Sequence, residues 1–137
     1  MSDIPKISGV QIEAAQPDAS DLRRLKHLEA ERKASLAPVT WVVRVSMEQA
    51  PPATGLGLEL WVGDERVRKY TQVDGGICFV INDPEQLQRL LGKELSWRVP
   101  GEDTSHGTGV RMAADLPETA ATARGLPTKA EALRRRD

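Results

Sequence analysis

The sequence predicts a mainly β protein of the α+β class. The expected fold is a small antiparallel β-sandwich or partly open barrel of about five strands with one short helix. An N-terminal helix and an extended C-terminal arm flank it. Three observations carry this prediction. Most bulky apolar side chains, and every aromatic one, fall within residues 39–101. Apolar residues there repeat with the period of two that a half-buried strand requires. The stretch TQVDGGICFV (71–80) places a hairpin signature between two such runs.

Three zones follow from this distribution: an N-terminal arm with a helix (1–38), a β-rich core (39–101) and an extended or disordered C-terminal arm (102–137). Charge does not separate them. Each outer zone carries six basic and six acidic residues, and the middle carries seven and eight. Apolar content alone marks the boundaries.

DASDLRRLKHLEAERKASL (18–36) reads as a helix that Asp18 or Ser20 can cap, with Leu22, Leu25, Leu28 and Leu36 recurring near helical spacing. Glu29 and Lys33 are placed for an i,i+4 pair. Arg32 interrupts the thin leucine stripe, so the helix can either cap its own sheet or lie in a partner's groove. In TWVVRVSM (40–47), Trp41, Val43, Val45 and Met47 share one strand face. APPATG (50–55) cannot continue a ladder, because proline lacks the N–H donor. LGLELWV (56–62) puts Leu56, Leu58, Leu60 and Val62 on one face, with Glu59 and Trp61 on the other. GDER (63–66) is read as a turn into a strand VRKYTQV.

The turn in DGG centres on Asp74-Gly75 or Gly75-Gly76. Either choice puts Ile77, Phe79 and Ile81 on one face and Cys78 with Val80 and Val73 on the other. In NDPEQLQRLLG (82–92), Asp83 or Asn82 caps a helix, Pro84 suits its first position and Gly92 ends it. KELSWRV (93–99) is a last strand stopped by Pro100-Gly101. Beyond it only TKAEALRRR looks structured, with Thr128 and Glu131 at capping-box spacing.

The totals exclude several function classes. A net charge of −1 over 137 residues provides no overall field for nucleic acid, which is not expected as a partner. No apolar run approaches the ~18–20 residues of a membrane span, and the first residues have no apolar core of a secretory signal. The location expected is cytoplasmic or within a non-secreted particle. One cysteine and two histidines give no metal framework.

No residue set adds up to a catalytic site, and no catalytic, cofactor-binding or metal-binding residue is assigned. Cys78, Asp74 and His106 are all that an enzyme reading could use. His106, in TSHGTG, is read as part of a loop.

The candidate contact residues are of three kinds. Trp61 either covers the back of the sheet or anchors an interface, and Arg66, Arg68 and Tyr70 follow it on a presumed strand. Leu25 and Leu28 mark the N-terminal helix, and Arg134, Arg135 and Arg136 form a basic end. The expected function is therefore a non-enzymatic structural or protein-binding subunit of a multi-protein assembly, such as a phage-like particle or secretion apparatus. Its terminal arms would contact protein neighbours, with copies of itself among the candidates. The alternative is a small soluble regulator or inhibitor that binds one protein through the sheet face around Trp61.

Overall fold

The computed structural model describes residues 6–36, 39–48, 58–73, 75–101, 104–114 and 126–134. Among these are eight strands and three helices in the order β1 (Ile7–Ala15), α1 (Ala19–Arg32), β2 (Thr40–Met47), β3 (Glu59–Val62), β4 (Glu65–Val67), β5 (Thr71–Val73), β6 (Gly76–Ile81), α2 (Pro84–Leu90), β7 (Glu94–Arg98), β8 (Ser105–Arg111) and α3 (Lys129–Arg134). The protein is mainly β. Two antiparallel four-stranded sheets, ordered β1-β2-β6-β5 and β4-β3-β7-β8, face each other without closing into a barrel.

The inner faces meet as the period-two patterns dictate. Val43, Val45, Ile77, Leu60, Val62, Leu95 and Trp97 are all within 1% of full burial, and Trp41, Met47, Phe79 and Ile81 join the same cluster. Leu87 and Leu90 bring α2 onto it. At about 25 cal/mol per Å² of apolar surface removed from water, this shared layer is what holds the sheets face to face.

The strand count exceeds the expected five because both flanking zones contribute. β1 pairs with β2 from Ile7↔Met47 to Ala15↔Thr40, and β8 pairs with β7. His106 therefore lies in a strand, opposite Trp97, and not in a loop. The expected strand VRKYTQV is also two strands: β4 belongs to one sheet and β5 to the other, and residues 68–70 carry the chain across. GDER shortens to a two-residue turn, since Val62 pairs with Glu65 and Gly63 takes the left-handed φ of +57°. APPATG lies outside the described residues.

The DGG question resolves in favour of the first register. Val73 pairs with Gly76, which leaves residues 74 and 75 between the strands. Gly75 has φ +83° and its carbonyl accepts from the Met47 N–H at 2.8 Å. Asp74 lies outside the described residues. Cys78 is 1% exposed and shares the outer face with Val42 and Val80, as the alternation requires.

That outer face is covered, which the sequence pattern did not indicate. α3 lies on it, with Ala132 1% exposed and Leu133 partly buried against Val42, Cys78 and Ala15. Arg44, 9% exposed, reaches the end of this helix and donates from Nη2 to the Ala132 carbonyl at 2.8 Å. Carbonyls at a helix C-terminus have no partner within the helix, so a guanidinium satisfies them well. β2 is therefore buried on both faces, where alternation had predicted one.

Candidate functional site

α1 begins with a capping box. Asp18 accepts from the Asp21 N–H at 2.8 Å, and Asp21 accepts from the Asp18 N–H at 3.1 Å. The helix ends at Arg32, because Lys33 turns left-handed at φ 52°. That position removes Lys33 from the expected pairing with Glu29, whose carboxylate accepts from the Leu36 N–H. His27 instead pairs with Glu31 at 3.0 Å on the exposed side.

Each end of α1 is held by an ion pair. At the C-terminal end, Arg32 makes two hydrogen bonds to Asp83, at 2.7 and 2.6 Å. Asp83 also caps α2, accepting from the Glu85 N–H at 2.9 Å. The Arg32 hydrogen bond, against the cost of burial, holds the Asp83 carboxyl below its ordinary value, and the same bond raises Arg32. At the N-terminal end, Lys129 of α3 donates to Asp18 at 3.1 Å and to Asp21 at 3.3 Å. Burial works to lower Lys129, but hydrogen bonds to Asp18 and Asp21 prevail and raise it. The Asp21 backbone N–H, with Lys129 further behind, keeps Asp18 below the usual carboxylate range. The neighbouring Gln16 adds bonds to the Pro127 and Leu126 carbonyls, so the chain before α1 is stitched to the segment that leads into α3.

Held this way, α1 borders an open groove of about 980 Å³. Its other walls are the stretch from Arg66 in β4 through the crossing at 68–70 to Gln72 in β5, Leu58 and Glu59 where β3 begins, and the outer face of β6 at Cys78 and Val80. The structure thus brings Arg66, Arg68 and Tyr70 into one cavity lining together with Arg24 of α1. Tyr70 is half-buried against the main core, while Arg24, Arg68 and Lys69 are exposed.

The lining holds five cationic side chains and three anionic ones. Lys129 is taken by Asp18 and Asp21, and Arg66 by Glu59 at 3.3 Å. Arg24, Arg68 and Lys69 face no counter-ion within 4 Å among the described residues. The groove is a positive region on a nearly neutral chain. Cys78 at its floor is 1% exposed, and no histidine lines it among the described residues.

Trp61 is not part of that lining. It lies on the outer face of the second sheet, half-buried, with the Arg98 guanidinium 3.9 Å from its ring centroid. Its Nε1 donates to Glu59 at 3.1 Å, and Arg66 is its direct cross-strand neighbour. Arg98, and not α1, lies over its ring. Leu25 is 4% exposed and is spent on packing within the chain, and Leu28 is half-buried. Arg134 ends α3; Arg135 and Arg136 lie outside the described residues.

Arg24 and Lys129 were missed as site residues. Nothing local marks them, because their role depends on where α1 and α3 dock. Among the described residues no cluster of metal-ligating side chains occurs, and no helix is long and apolar enough to cross a membrane. No family model, curated protein or solved structure matches the chain.

Proposed function

We propose that the protein is a non-enzymatic, protein-binding subunit that engages a partner through the groove between α1 and the β4–β5 crossing. One observation carries this reading. Three cations without counter-ions among the described residues, Arg24, Arg68 and Lys69, line the same open cavity as the half-buried Tyr70. Aromatic and arginine side chains presented together are the usual anchors of a protein contact. The setting is either a multi-protein assembly or a regulator with one partner, in the cytoplasm or a non-secreted particle. The contact residues shift from the terminal arms to the groove, because β1, β8 and α3 are engaged within the chain.

The test is site-specific photo-crosslinking in the source cells. A photoreactive side chain is placed at Tyr70, at Arg68, or at Arg111 on the exposed edge of the other sheet. The expected result is a discrete protein adduct from positions 70 and 68 and none from 111. Identical adducts from all three positions, or none from any, would refute the reading.

A further inference from the structure

We infer that the groove's occupant is an acidic polypeptide segment, one that alternates carboxylate with apolar side chains. The inference rests on the protein-binding reading above and adds the chemistry of the partner. Charge complementarity carries it. Arg24, Arg68 and Lys69 come from two separate elements, a helix and a crossing segment, and line one cavity with no carboxylate within 4 Å of them among the described residues. Elsewhere on α1 and α2, Arg32 and Arg89 are each matched to an acid, while Arg23 and Lys26 are unmatched among the described residues but lie outside the cavity lining. Three unmatched cations around one cavity favour an anionic ligand through both affinity and association rate.

The walls exclude a nucleic acid strand as the better fit. A phosphate backbone repeats its charge at every nucleotide and needs a continuous basic track. Here Asp18 and Glu59 place carboxylates in the lining and already occupy Lys129 and Arg66, so no continuous basic track remains. A peptide can place its acids opposite Arg24, Arg68 and Lys69 and leave the acidic rim alone. It can also supply apolar side chains for the rest of the lining: Tyr70, Leu58, Val80 and Leu133.

The experiment is fluorescence anisotropy on the full chain with three labelled probes: a Glu/Leu-alternating peptide, a Lys/Leu-alternating peptide of the same length and a deoxythymidine oligonucleotide. The acidic peptide is expected to bind, more tightly at low salt. The double variant Arg68→Glu/Lys69→Glu should lose about tenfold or more in affinity. Arg24→Glu, on a different element, should weaken binding in the same direction, whereas Arg111→Glu should leave it unchanged. Unaltered thermal unfolding of each variant shows that the loss is not one of folding. Equal binding of the acidic and basic peptides, tighter binding of the oligonucleotide, or unchanged affinity in both groove variants would overturn the inference. If the acidic peptide fails while Tyr70 still crosslinks to a protein, the ligand class is wrong and the binding reading stands. If both fail, both fall.

Discussion

Removing the charge of Asp83 should destabilise the protein by an amount that depends on pH. Asp83→Asn is the perturbation of choice, because asparagine caps a helix about as well as aspartate and so leaves α2 its cap. What the change removes is the paired contact with Arg32, two hydrogen bonds of 2.7 and 2.6 Å. The two side chains are 25% and 21% exposed. Fully exposed pairs contribute ~0.2–1 kcal/mol, and breaking a buried pair costs ~3–5 kcal/mol. A bidentate contact at this intermediate exposure should give a coupling of about 1–2 kcal/mol in a double-mutant cycle with Arg32→Met.

Because the native carboxyl titrates below its ordinary value near 3.8, the unfolded chain takes up the proton first as pH falls. The contribution is therefore complete above the ordinary value and disappears as pH falls through the depressed native one. Urea unfolding of the wild type, both single variants and the double variant, at pH 7 and in steps down to about pH 3, measures this. The stability gap between wild type and Asp83→Asn should be flat from about pH 7 to 5 and shrink below about 4. A gap independent of pH, or a coupling below ~0.3 kcal/mol, would refute the assignment of this contact as the anchor of α1.

Three further substitutions probe the turn and the C-terminal helix. Alanine at Gly76 would place its Cβ 1.9 Å from the Val45 carbonyl oxygen, in a central strand that cannot yield, so a loss above ~3 kcal/mol is expected. At Gly75 nothing lies within 4 Å and only the φ of +83° opposes a side chain, so alanine there should cost about 1–2 kcal/mol. Thermal unfolding of the two variants should rank them in that order. Lys129→Met leaves Asp21, 4% exposed, without its cation and should cost about 1–2 kcal/mol. Hydrogen exchange should then quicken at the Ala132 amide, which bonds to Thr128, while amides between β2 and β6 stay protected.

The central part of the fold was legible because its residues obey simple periods. β2, β6 and β7 alternate cleanly, and α2 carries its cap, its proline and its terminal glycine in order. β1 was not legible because it breaks its own period. Ile7 pairs with Met47 and Gly9 with Ser46, so an extra residue shifts Ile7 out of step with Val10, Ile12 and Ala14. β8 hid for a different reason. It is an edge strand with two glycines, and its inward positions are His106, Thr108 and Val110, only one of them apolar.

The split of VRKYTQV had no sequence signal at all. No glycine or proline interrupts it, and only the packing of two sheets sends Arg68–Tyr70 across the gap. The candidate site was half visible for the same reason. Arg66, Arg68 and Tyr70 stood out as basic residues beside an aromatic one, but they were read on a continuous strand that does not exist. What unites them is the crossing, and Arg24 joins them only through the docking of α1.

That dependence ties the groove to the fold. α1 is fixed at one end by Asp83, which also caps α2, and at the other by Lys129 of α3. Leu25 is buried between the two anchors. Arg24 sits in the same stretch, one residue before Leu25, so its position over the groove is set by contacts that it does not itself make. The C-terminal segment has a comparable double role, since Lys129 neutralises the acids at the groove's rim while Ala132 and Leu133 cover the outer face of the first sheet. Without Lys129, Asp18 and Asp21 would cancel much of the positive field around Arg24, Arg68 and Lys69. The segments that look like arms in the sequence are thus what give the groove both its shape and its sign.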